Sequence, residues 1–259
     1  MKNIHAKEWF DEWFDSPYYH ILYKNRDLTE AKAFVDRLCG FFGCNPAKDV
    51  LDLACGKGRY SLQLRDRGMH VTGLDLSPQS IAYAKRYEDA YLHFDVHDMR
   101  KAYKKEAFDI ILNLFTSFGY FKSKQENQQV VDAAARGLRQ GGKLLIDFFN
   151  TPKVIQELIP EESKTLEGIT FRIRRFVTED GFIVKDIQFD DEGEHFQFQE
   201  RVKTIYEEEF LEYFENTGLK LKKIFGDYHL HDYEPETCER MIFLLEKWLR
   251  IERLKIGRL

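Results

Sequence analysis

The sequence predicts an α/β fold built on a mostly parallel sheet of seven strands, with helices on both faces of the sheet. Three observations lead to this prediction. Short apolar segments alternate with segments of helical periodicity between residues 49 and 149, which indicates parallel strands joined by helical crossovers. The first apolar segment ends at two closely spaced glycines that lead into a helix. After residue 163, strand-like segments are separated by turn residues, which predicts an inserted antiparallel β meander.

The composition is that of a globular protein with one elaborated domain. Of its 259 residues, 43% are hydrophobic, including 22 Phe and 13 Tyr, which is enough for a large core. The net charge of -5 makes nucleic acid and anionic lipid poor default partners. Apolar runs such as 108–115 are far shorter than the ~20 residues of a membrane span, and we see no apolar targeting segment. We therefore expect a cytoplasmic protein with free thiols.

The first 48 residues predict a helical segment rich in aromatic rings. Trp9 and Trp13 recur at a four-residue spacing, as do Phe10 and Phe14, and residues 31–38 form a second apolar stripe. We expect this segment to form a lid over a binding site. The predicted division of the chain is a lid at 1–48, a core at 49–162 and 206–259, and an antiparallel insertion covering the substrate site at 163–205.

The elements of the core follow from changes in hydrophobic period. Strands are predicted at 50–54, 70–75, 90–95, 108–114, 142–148, 219–225 and 240–245, with helices at 77–86, 125–138 and 207–216. A helix is predicted directly after the second strand, with Ser77 as its cap and Pro78 as its first residue. Between 165 and 205, apolar and charged residues alternate, and acidic stretches ending in glycine at 179–181 and 190–193 predict hairpin turns.

The loop after the first strand carries the chemistry. Gly56 and Gly58 allow a ligand to approach bare backbone, and the following helix offers its N-terminal N–H groups. Asp75 ends the second strand, where a carboxylate can accept both hydroxyls of a ribose. A dinucleotide fingerprint would have a third glycine where this chain has Ser61. At this point an ordinary tight turn, a nicotinamide site and another nucleotide site all stay open.

The segment Asp52 to Asp75, with His97-Asp98-Met99-Arg100 and the run 113–120, resembles class I S-adenosylmethionine-dependent methyltransferases. The similarity extends over about residues 49–149. It is strongest to the branch of glycine N-methyltransferases and amino-sugar N,N-dimethyltransferases, which also carry an aromatic N-terminal segment and an antiparallel insert. The resemblance implies a Rossmann-like fold, S-adenosyl-L-methionine as cofactor and methyl transfer as the reaction.

The resemblance also implies roles for individual residues. The backbone of Ala54, Gly56 and Gly58 would line the methionine part of the cofactor, and Asp75 would bind the ribose hydroxyls, with Leu76 beside it. Further cofactor contacts are implied for Asp98 with the adenine amino group, Met99 with the adenine ring, and the Leu114 backbone with the methionyl ammonium. A Tyr-x-x-x-Tyr-x-x-Arg pattern that closes over the cofactor in such enzymes is matched by Tyr19, Tyr23 and Arg26.

Each of these assignments has a structural alternative. Asp98 could cap a turn, and Tyr19 and Tyr23 could form only a packed aromatic pair. Arg26 could pair with the aspartate that follows it on the surface. Asp52, which we include in the predicted cofactor site, could instead support the glycine loop by accepting hydrogen bonds.

Methyl transfer from a sulfonium is a direct in-line displacement, so no dedicated nucleophile is required. A base helps only if the acceptor arrives protonated, and the weak candidates are Tyr120, His229 and His231. The two histidines lack a third spaced ligand, so we expect no metal.

The residues after the fourth strand, 113–116, lack the signatures of enzymes that methylate nucleic acid bases. We therefore favour a nitrogen or oxygen atom of a small molecule as the acceptor, with nitrogen ahead because of the branch that the chain resembles. The alternatives are a protein or RNA methyltransferase, a catalytically idle cofactor-binding module and a nicotinamide-dependent oxidoreductase. The expected assembly is a monomer or homodimer.

Overall fold

Strands and helices alternate through the first half of the computed structural model, which describes residues 12–24, 28–43 and 45–248. The strands are β1 (Asp49–Leu53), β2 (His70–Asp75), β3 (Leu92–Val96), β4 (Phe108–Asn113), β5 (Leu138–Phe149), β6 (Glu161–Leu166), β7 (Ile169–Val177), β8 (Phe182–Asp191), β9 (Glu194–Lys203), β10 (Leu219–Phe225) and β11 (Arg240–Lys247). The helices are α1 (Pro17–Leu22), α2 (Leu28–Phe42), α3 (Arg59–Arg65), α4 (Pro78–Ala84), α5 (Lys124–Gly137), α6 (Thr151–Gln156) and α7 (Glu207–Phe214).

The main sheet has seven strands in the order β10-β11-β5-β4-β1-β2-β3. The strands β1 to β5 pair in parallel, whereas β11 is antiparallel to β5 and β10 is antiparallel to β11. One face of the sheet packs against α2, α3 and α4, and the other packs against α5 and α7. The predicted mostly parallel sheet with helices on both faces is confirmed.

Local signals explain where the helices begin. Ser77 caps α4 by accepting a hydrogen bond from the N–H of Ser80, and Pro78 is its first residue. Ser123 and Glu126 form a reciprocal capping box at the start of α5. The helix before β5 ends at Gly137, and the strand begins at Leu138 rather than at the predicted residue 142. The strand continues through Gly141 and Gly142, and the register of its pairing with β4 shifts between Phe108 and Ile110.

A second sheet, of four antiparallel strands in the order β6-β7-β8-β9, forms the predicted meander. Its first strand, β6, starts at Glu161 and was missed by the sequence prediction, which began the meander at residue 165. This strand lies at the edge of the sheet and is mostly exposed, so it lacks the apolar alternation that marks a buried strand. The assignment of this sheet to a separate insertion at 163–205 stays a prediction.

Residues of the described stretch 12–24 pack on one face of the antiparallel sheet. Trp13 is fully buried in a cluster with Phe171 and Phe189, and its indole N–H donates to Glu200 at 2.7 Å. The two sheets are joined where the N–H of Lys203 donates to the carbonyl of Gly119 at 2.8 Å. The predicted aromatic residues Trp9 and Phe10 lie outside the described residues.

Within the described ranges, no helix is long and apolar enough to cross a membrane. Cys39 takes part in a disulfide, whereas Cys55 and Cys238 carry free thiols, so the expectation of free thiols is wrong for Cys39.

Candidate active site

A cavity of about 400 Å³ lies at the carboxyl ends of β1 to β4, where parallel sheets bind their ligands. Its volume is typical of small-molecule sites, which measure roughly 300–1,000 Å³. The cavity is lined by Phe14, Tyr19, His20, Tyr23, Lys24, Asp52, Ala54, Cys55, Gly56, Lys57, Arg59, Tyr60, Asp75, Leu76, Ser80, His97, Asp98, Met99, Leu114, Phe115, Ser117, Tyr120 and Phe121. It therefore brings together most of the residues predicted to bind the cofactor.

The loop between β1 and α3 presents backbone to the cavity. Ala54 and Gly56 line the cavity with positive φ angles of 58° and 56°. No atom lies within 4 Å of the position that a Cβ on Gly56 would occupy, so space is left beside this backbone. The structure does not bring Gly58 into the cavity wall. At Gly58, with φ of 82°, a Cβ would lie 2.6 Å from the ring of Phe94.

Asp75 stands in the cavity wall at the end of β2. One carboxylate oxygen accepts a hydrogen bond from the N–H of Gly56 and the other from that of Ser77, each at 2.8 Å. Burial raises the pKa of Asp75, and these backbone N–H groups oppose the rise. Each carboxylate oxygen can accept a second hydrogen bond, so Asp75 retains capacity for a ligand. Leu76 follows it and also lines the cavity.

Asp52 is buried at the end of β1 and also lines the cavity. Its carboxylate accepts a hydrogen bond from the hydroxyl of Ser61 at 2.6 Å. Burial raises the pKa of Asp52 to about 7, although the Ser61 hydroxyl favours the ionised form. Ser61 occupies the position of the third glycine of a dinucleotide fingerprint. Its hydrogen bond to Asp52 explains structurally why a serine stands there. Both interpretations of Asp52, loop support and ligand contact, are compatible with this geometry.

Asp98 and Met99 follow β3 and line the cavity. The carboxylate of Asp98 accepts hydrogen bonds from the backbone N–H of Arg100 at 2.9 Å and from its guanidinium at 2.9 to 3.1 Å. Burial opposes ionisation of Asp98, but the bonds from Arg100 outweigh it and hold the pKa of Asp98 below its ordinary value. Asp98 thus caps a turn and also presents an ionised acceptor to the cavity.

Tyr19 and Tyr23 line the cavity from α1 and the residue that follows it. Their ring centroids are 4.9 Å apart, so they are a packed pair as well as cavity residues. The hydroxyl of Tyr23 donates to Glu200 at 2.7 Å and accepts from Lys185, which fixes this segment to β8 and β9. Arg26, the third member of the predicted pattern, lies outside the described residues.

Of the predicted bases, Tyr120 lines the cavity and the two histidines do not. His229 and His231 lie in the loop between β10 and β11, where the ring of His231 pairs with Asp227 at 2.7 Å. Among the described residues, no group of three or more His, Cys, Asp or Glu could hold a metal ion.

Sequence reasoning missed His20 and Lys57, which both line the cavity. Burial lowers the pKa of His20 and the charge of Lys57 adds to the effect, which favours a neutral imidazole. The available signals were the position of His20 directly after Tyr19 and that of Lys57 between the two glycines.

These features fit S-adenosyl-L-methionine. The cofactor presents ribose hydroxyls and an adenine amino group as donors, and Asp75 and Asp98 offer carboxylate acceptors at the ends of adjacent strands. The backbone of Ala54 and Gly56 is open to the cavity, and aromatic rings line much of the remaining space.

The chain matches the protein family described as a methyltransferase domain over residues 50–142. It is 28% identical over 209 residues to a putative methyltransferase from Bacillus subtilis, covering 76% of this chain and 83% of that protein. It is also 28% identical over 136 residues to dTDP-3-amino-3,4,6-trideoxy-alpha-D-glucopyranose N,N-dimethyltransferase from Streptomyces venezuelae, covering 49% of this chain and 56% of that protein.

Among solved structures, the fold is similar to that of an S-adenosylmethionine-dependent methyltransferase from Clostridium acetobutylicum. The TM-score is 0.76 at 20% sequence identity, with 90% of this chain and 96% of that chain covered. The chain thus matches a methyltransferase domain over residues 50–142 and has the fold of an S-adenosylmethionine-dependent methyltransferase.

Proposed function

We propose that this chain transfers a methyl group from S-adenosyl-L-methionine to a nitrogen atom of a small molecule held in the cavity. The observation that carries the proposal is the composition of the cavity wall. Beyond the glycine loop and the carboxylates, its lining is dominated by aromatic side chains, namely Phe14, Tyr19, Tyr23, Tyr60, Phe115, Tyr120 and Phe121. A concave, largely apolar site with a few placed polar groups is typical of small-molecule binding.

In this proposal, the carboxyl edge of the sheet binds the cofactor. Asp75 accepts hydrogen bonds from the ribose hydroxyls through the lone pairs that its backbone bonds leave over, and Asp98 accepts from the adenine amino group. Met99 contacts the adenine ring, and the backbone at Ala54 and Leu114 meets the methionine part. The cofactor supplies an activated methyl group when bound.

The remaining work of the chain is to position the acceptor and exclude water. The acceptor needs a lone pair held in line with the methyl group at roughly 3–3.5 Å. Phe14 and Tyr120 stack with ring centroids 5.7 Å apart and close the space between the N-terminal segment and the loop after β4. Tyr120 is the base candidate that borders this space, so it is the residue to test for proton acceptance. The similarity to an amino-sugar N,N-dimethyltransferase supports nitrogen over oxygen as the acceptor atom.

The first test compares the thermal stability of the protein with S-adenosylhomocysteine and with NADH. A ligand at about 100 times its dissociation constant stabilises a protein by about 2.7 kcal/mol. For a chain of this length we expect a rise in melting temperature of roughly 5–10 °C with S-adenosylhomocysteine and none with NADH. A rise with NADH alone would instead support an oxidoreductase.

The variant Asp75→Ala should abolish most of the shift, because it removes charge-assisted hydrogen bonds to the ligand. The matched control is Asp132→Ala, which removes an aspartate of α5 that pairs with Gln128 outside the cavity. After the cofactor has been established, a mass-spectrometric screen of small amines and alcohols for methylated products identifies the acceptor class. Activity only on alcohols would refute the preference for nitrogen.

A further inference from the structure

A buried ion pair lies behind the loop that follows β4. Asp147 of β5 is fully buried, and Arg240 at the start of β11 is mostly buried. The guanidinium of Arg240 donates two hydrogen bonds to Asp147 Oδ1, at 2.9 Å from Nε and 2.7 Å from Nη2. Neither residue lines the cavity, and neither was predicted from the sequence.

This ion pair holds the loop at two consecutive residues. The backbone N–H of Phe115 donates to Asp147 Oδ2 at 2.8 Å, and Arg240 Nη2 donates to the hydroxyl of Thr116 at 2.8 Å. Tyr228 adds a third contact, because its hydroxyl donates to Asp147 Oδ2 at 2.9 Å. The ring of Tyr228 also lies parallel to that of Phe115, with an interplanar angle of 3° and 6.0 Å between centroids.

The loop needs such support because its backbone is in an unfavourable conformation. Phe115 and Thr116 have φ angles of 65° and 59°, in the left-handed region that side chains with a Cβ disfavour. Residues in such regions persist only when the surrounding structure holds them, and they concentrate at functional sites. Here the cavity is lined by Leu114, Phe115 and Ser117, whereas Thr116 points its hydroxyl to Arg240 and does not line the cavity.

We propose that Asp147, Arg240 and Tyr228 are positioning residues that shape the segment 114–117 for cofactor binding. The inference rests on the proposed function, since it takes this segment as the wall that meets the methionine part of the cofactor. The three side chains act through the backbone of Phe115 and Thr116 and touch no ligand themselves.

The chemistry of the pair suits this task. Burial disfavours the charge of Arg240, but the neighbouring Asp147 carboxylate outweighs burial and raises the pKa of Arg240, so the guanidinium stays ionised. The Nη2 group of its planar guanidinium donates both to the Asp147 carboxylate and to the Thr116 hydroxyl. A lysine ammonium is a single point charge on a flexible stem and cannot reproduce this geometry.

The most specific test is the pair Thr116→Val and Thr116→Ser. Valine has the shape of threonine but removes the acceptor of the Arg240 bond, while the Asp147–Arg240 pair stays intact. Serine restores the hydroxyl. Thr217→Val is the matched control, because it removes a threonine hydroxyl that donates to the Phe214 carbonyl at 2.6 Å, outside the cavity lining.

Two readouts are needed. Calorimetry gives the affinity for S-adenosylhomocysteine, and hydrogen–deuterium exchange of the segment 112–121 reports on the loop without any ligand. We expect Thr116→Val to weaken binding of S-adenosylhomocysteine by about tenfold. The reason is that the segment 114–117 loses the hydrogen bond from the charged Arg240 that holds its conformation. We also expect this substitution to accelerate exchange in 112–121, while Thr116→Ser and Thr217→Val stay within about twofold of the original protein.

Unchanged affinity in Thr116→Val, or equal exchange in all variants, would overturn the inference. If the unmodified protein does not bind S-adenosylhomocysteine, the proposed cofactor site is refuted and the inference falls with it. Tyr228→Phe provides a second variant in case Thr116→Val lowers stability in general. It removes one hydroxyl while keeping the ring on Phe115, and we expect it to shift exchange and affinity in the same direction.

Discussion

Gly56 and Gly58 lie two residues apart in the same loop, yet the structure gives them different tasks. Gly56 lines the cavity with open space beside its Cα, whereas Gly58 faces the ring of Phe94 away from the cavity lining. We therefore predict that Gly56→Ala impairs cofactor binding more than stability, and that Gly58→Ala impairs stability first.

The magnitudes follow from the local geometry. A residue with a Cβ in the left-handed region costs about 1–2 kcal/mol, and both glycines have positive φ. At Gly58 the new Cβ would also lie 2.6 and 2.8 Å from two ring atoms of Phe94. The ring is fully buried and also packs closely against Gly73, where an added Cβ would lie 2.5 Å from it. Because it is confined between the two glycines, the ring cannot move aside easily. Overpacking adds about 1–3 kcal/mol, so Gly58→Ala should cost roughly 2–5 kcal/mol in free energy of unfolding.

Thermal unfolding of both variants without ligand, followed by calorimetry with S-adenosylhomocysteine, measures the two effects separately. Each kcal/mol corresponds to roughly 2–4 °C for a chain of this size, so Gly58→Ala should melt several degrees below Gly56→Ala. The double variant Gly58→Ala with Phe94→Leu should lose less stability than the sum of the single variants, because the shorter side chain removes the clash.

Equal melting temperatures for the two glycine variants would refute the packing argument for Gly58. Binding of S-adenosylhomocysteine by Gly56→Ala at the original affinity would refute the ligand-facing role of Gly56. Additive losses in the double variant would show that Phe94 is not the obstacle.

Two further predictions concern groups around the cavity. Asp52 has a pKa of about 7 in the fold and about 3.9 when unfolded, so the folded state binds more protons between these values. The free energy of unfolding should therefore fall as the pH rises from about 4 to 7, and Asp52→Asn should flatten this slope in denaturation curves. Glu200→Ala leaves the buried Trp13 indole N–H without its acceptor, which should cost about 1–3 kcal/mol. Limited proteolysis should then cleave the N-terminal segment faster than in Glu194→Ala, and equal rates would contradict its anchoring by Glu200.

The parts of the fold that local patterns determine were predictable. Strand ends, glycines, caps and acidic residues near one another in the chain predicted the parallel core. Most of the residues predicted to bind the cofactor line the cavity, because the carboxyl ends of parallel strands share one edge of the sheet. Ser77 and Pro78 predicted the start of α4 correctly, because a helix cap and a first-turn proline are local signals. The edge strand β6 escaped because its residues are mostly exposed and carry no apolar alternation.

The supports behind the cavity could not be predicted, because they depend on the pairing of distant strands. Asp147 and Arg240 are 93 residues apart in the chain. They meet because β11 pairs antiparallel with β5, which places Arg240 opposite Phe149 and Asp147 opposite Ile242. Nothing in the sequence near Arg240 distinguishes it from an ordinary surface arginine before that register is known. His229 and His231, by contrast, looked suitable for chemistry but lie in a loop outside the cavity lining.

The cavity wall is built from two different parts of the chain. The methyltransferase-domain match covers residues 50–142, and this range contains every described lining residue except those between 14 and 24. The lining residues outside the matched range are Phe14, Tyr19, His20, Tyr23 and Lys24. The stretch is fixed in turn by Glu200 and Lys185 of the antiparallel sheet. Because the matched range is common to methyltransferase domains in general, we expect the residues outside it to select the acceptor. We therefore expect substitutions of Phe14 or His20 to change which acceptors are methylated more strongly than substitutions along the carboxyl ends of the core strands.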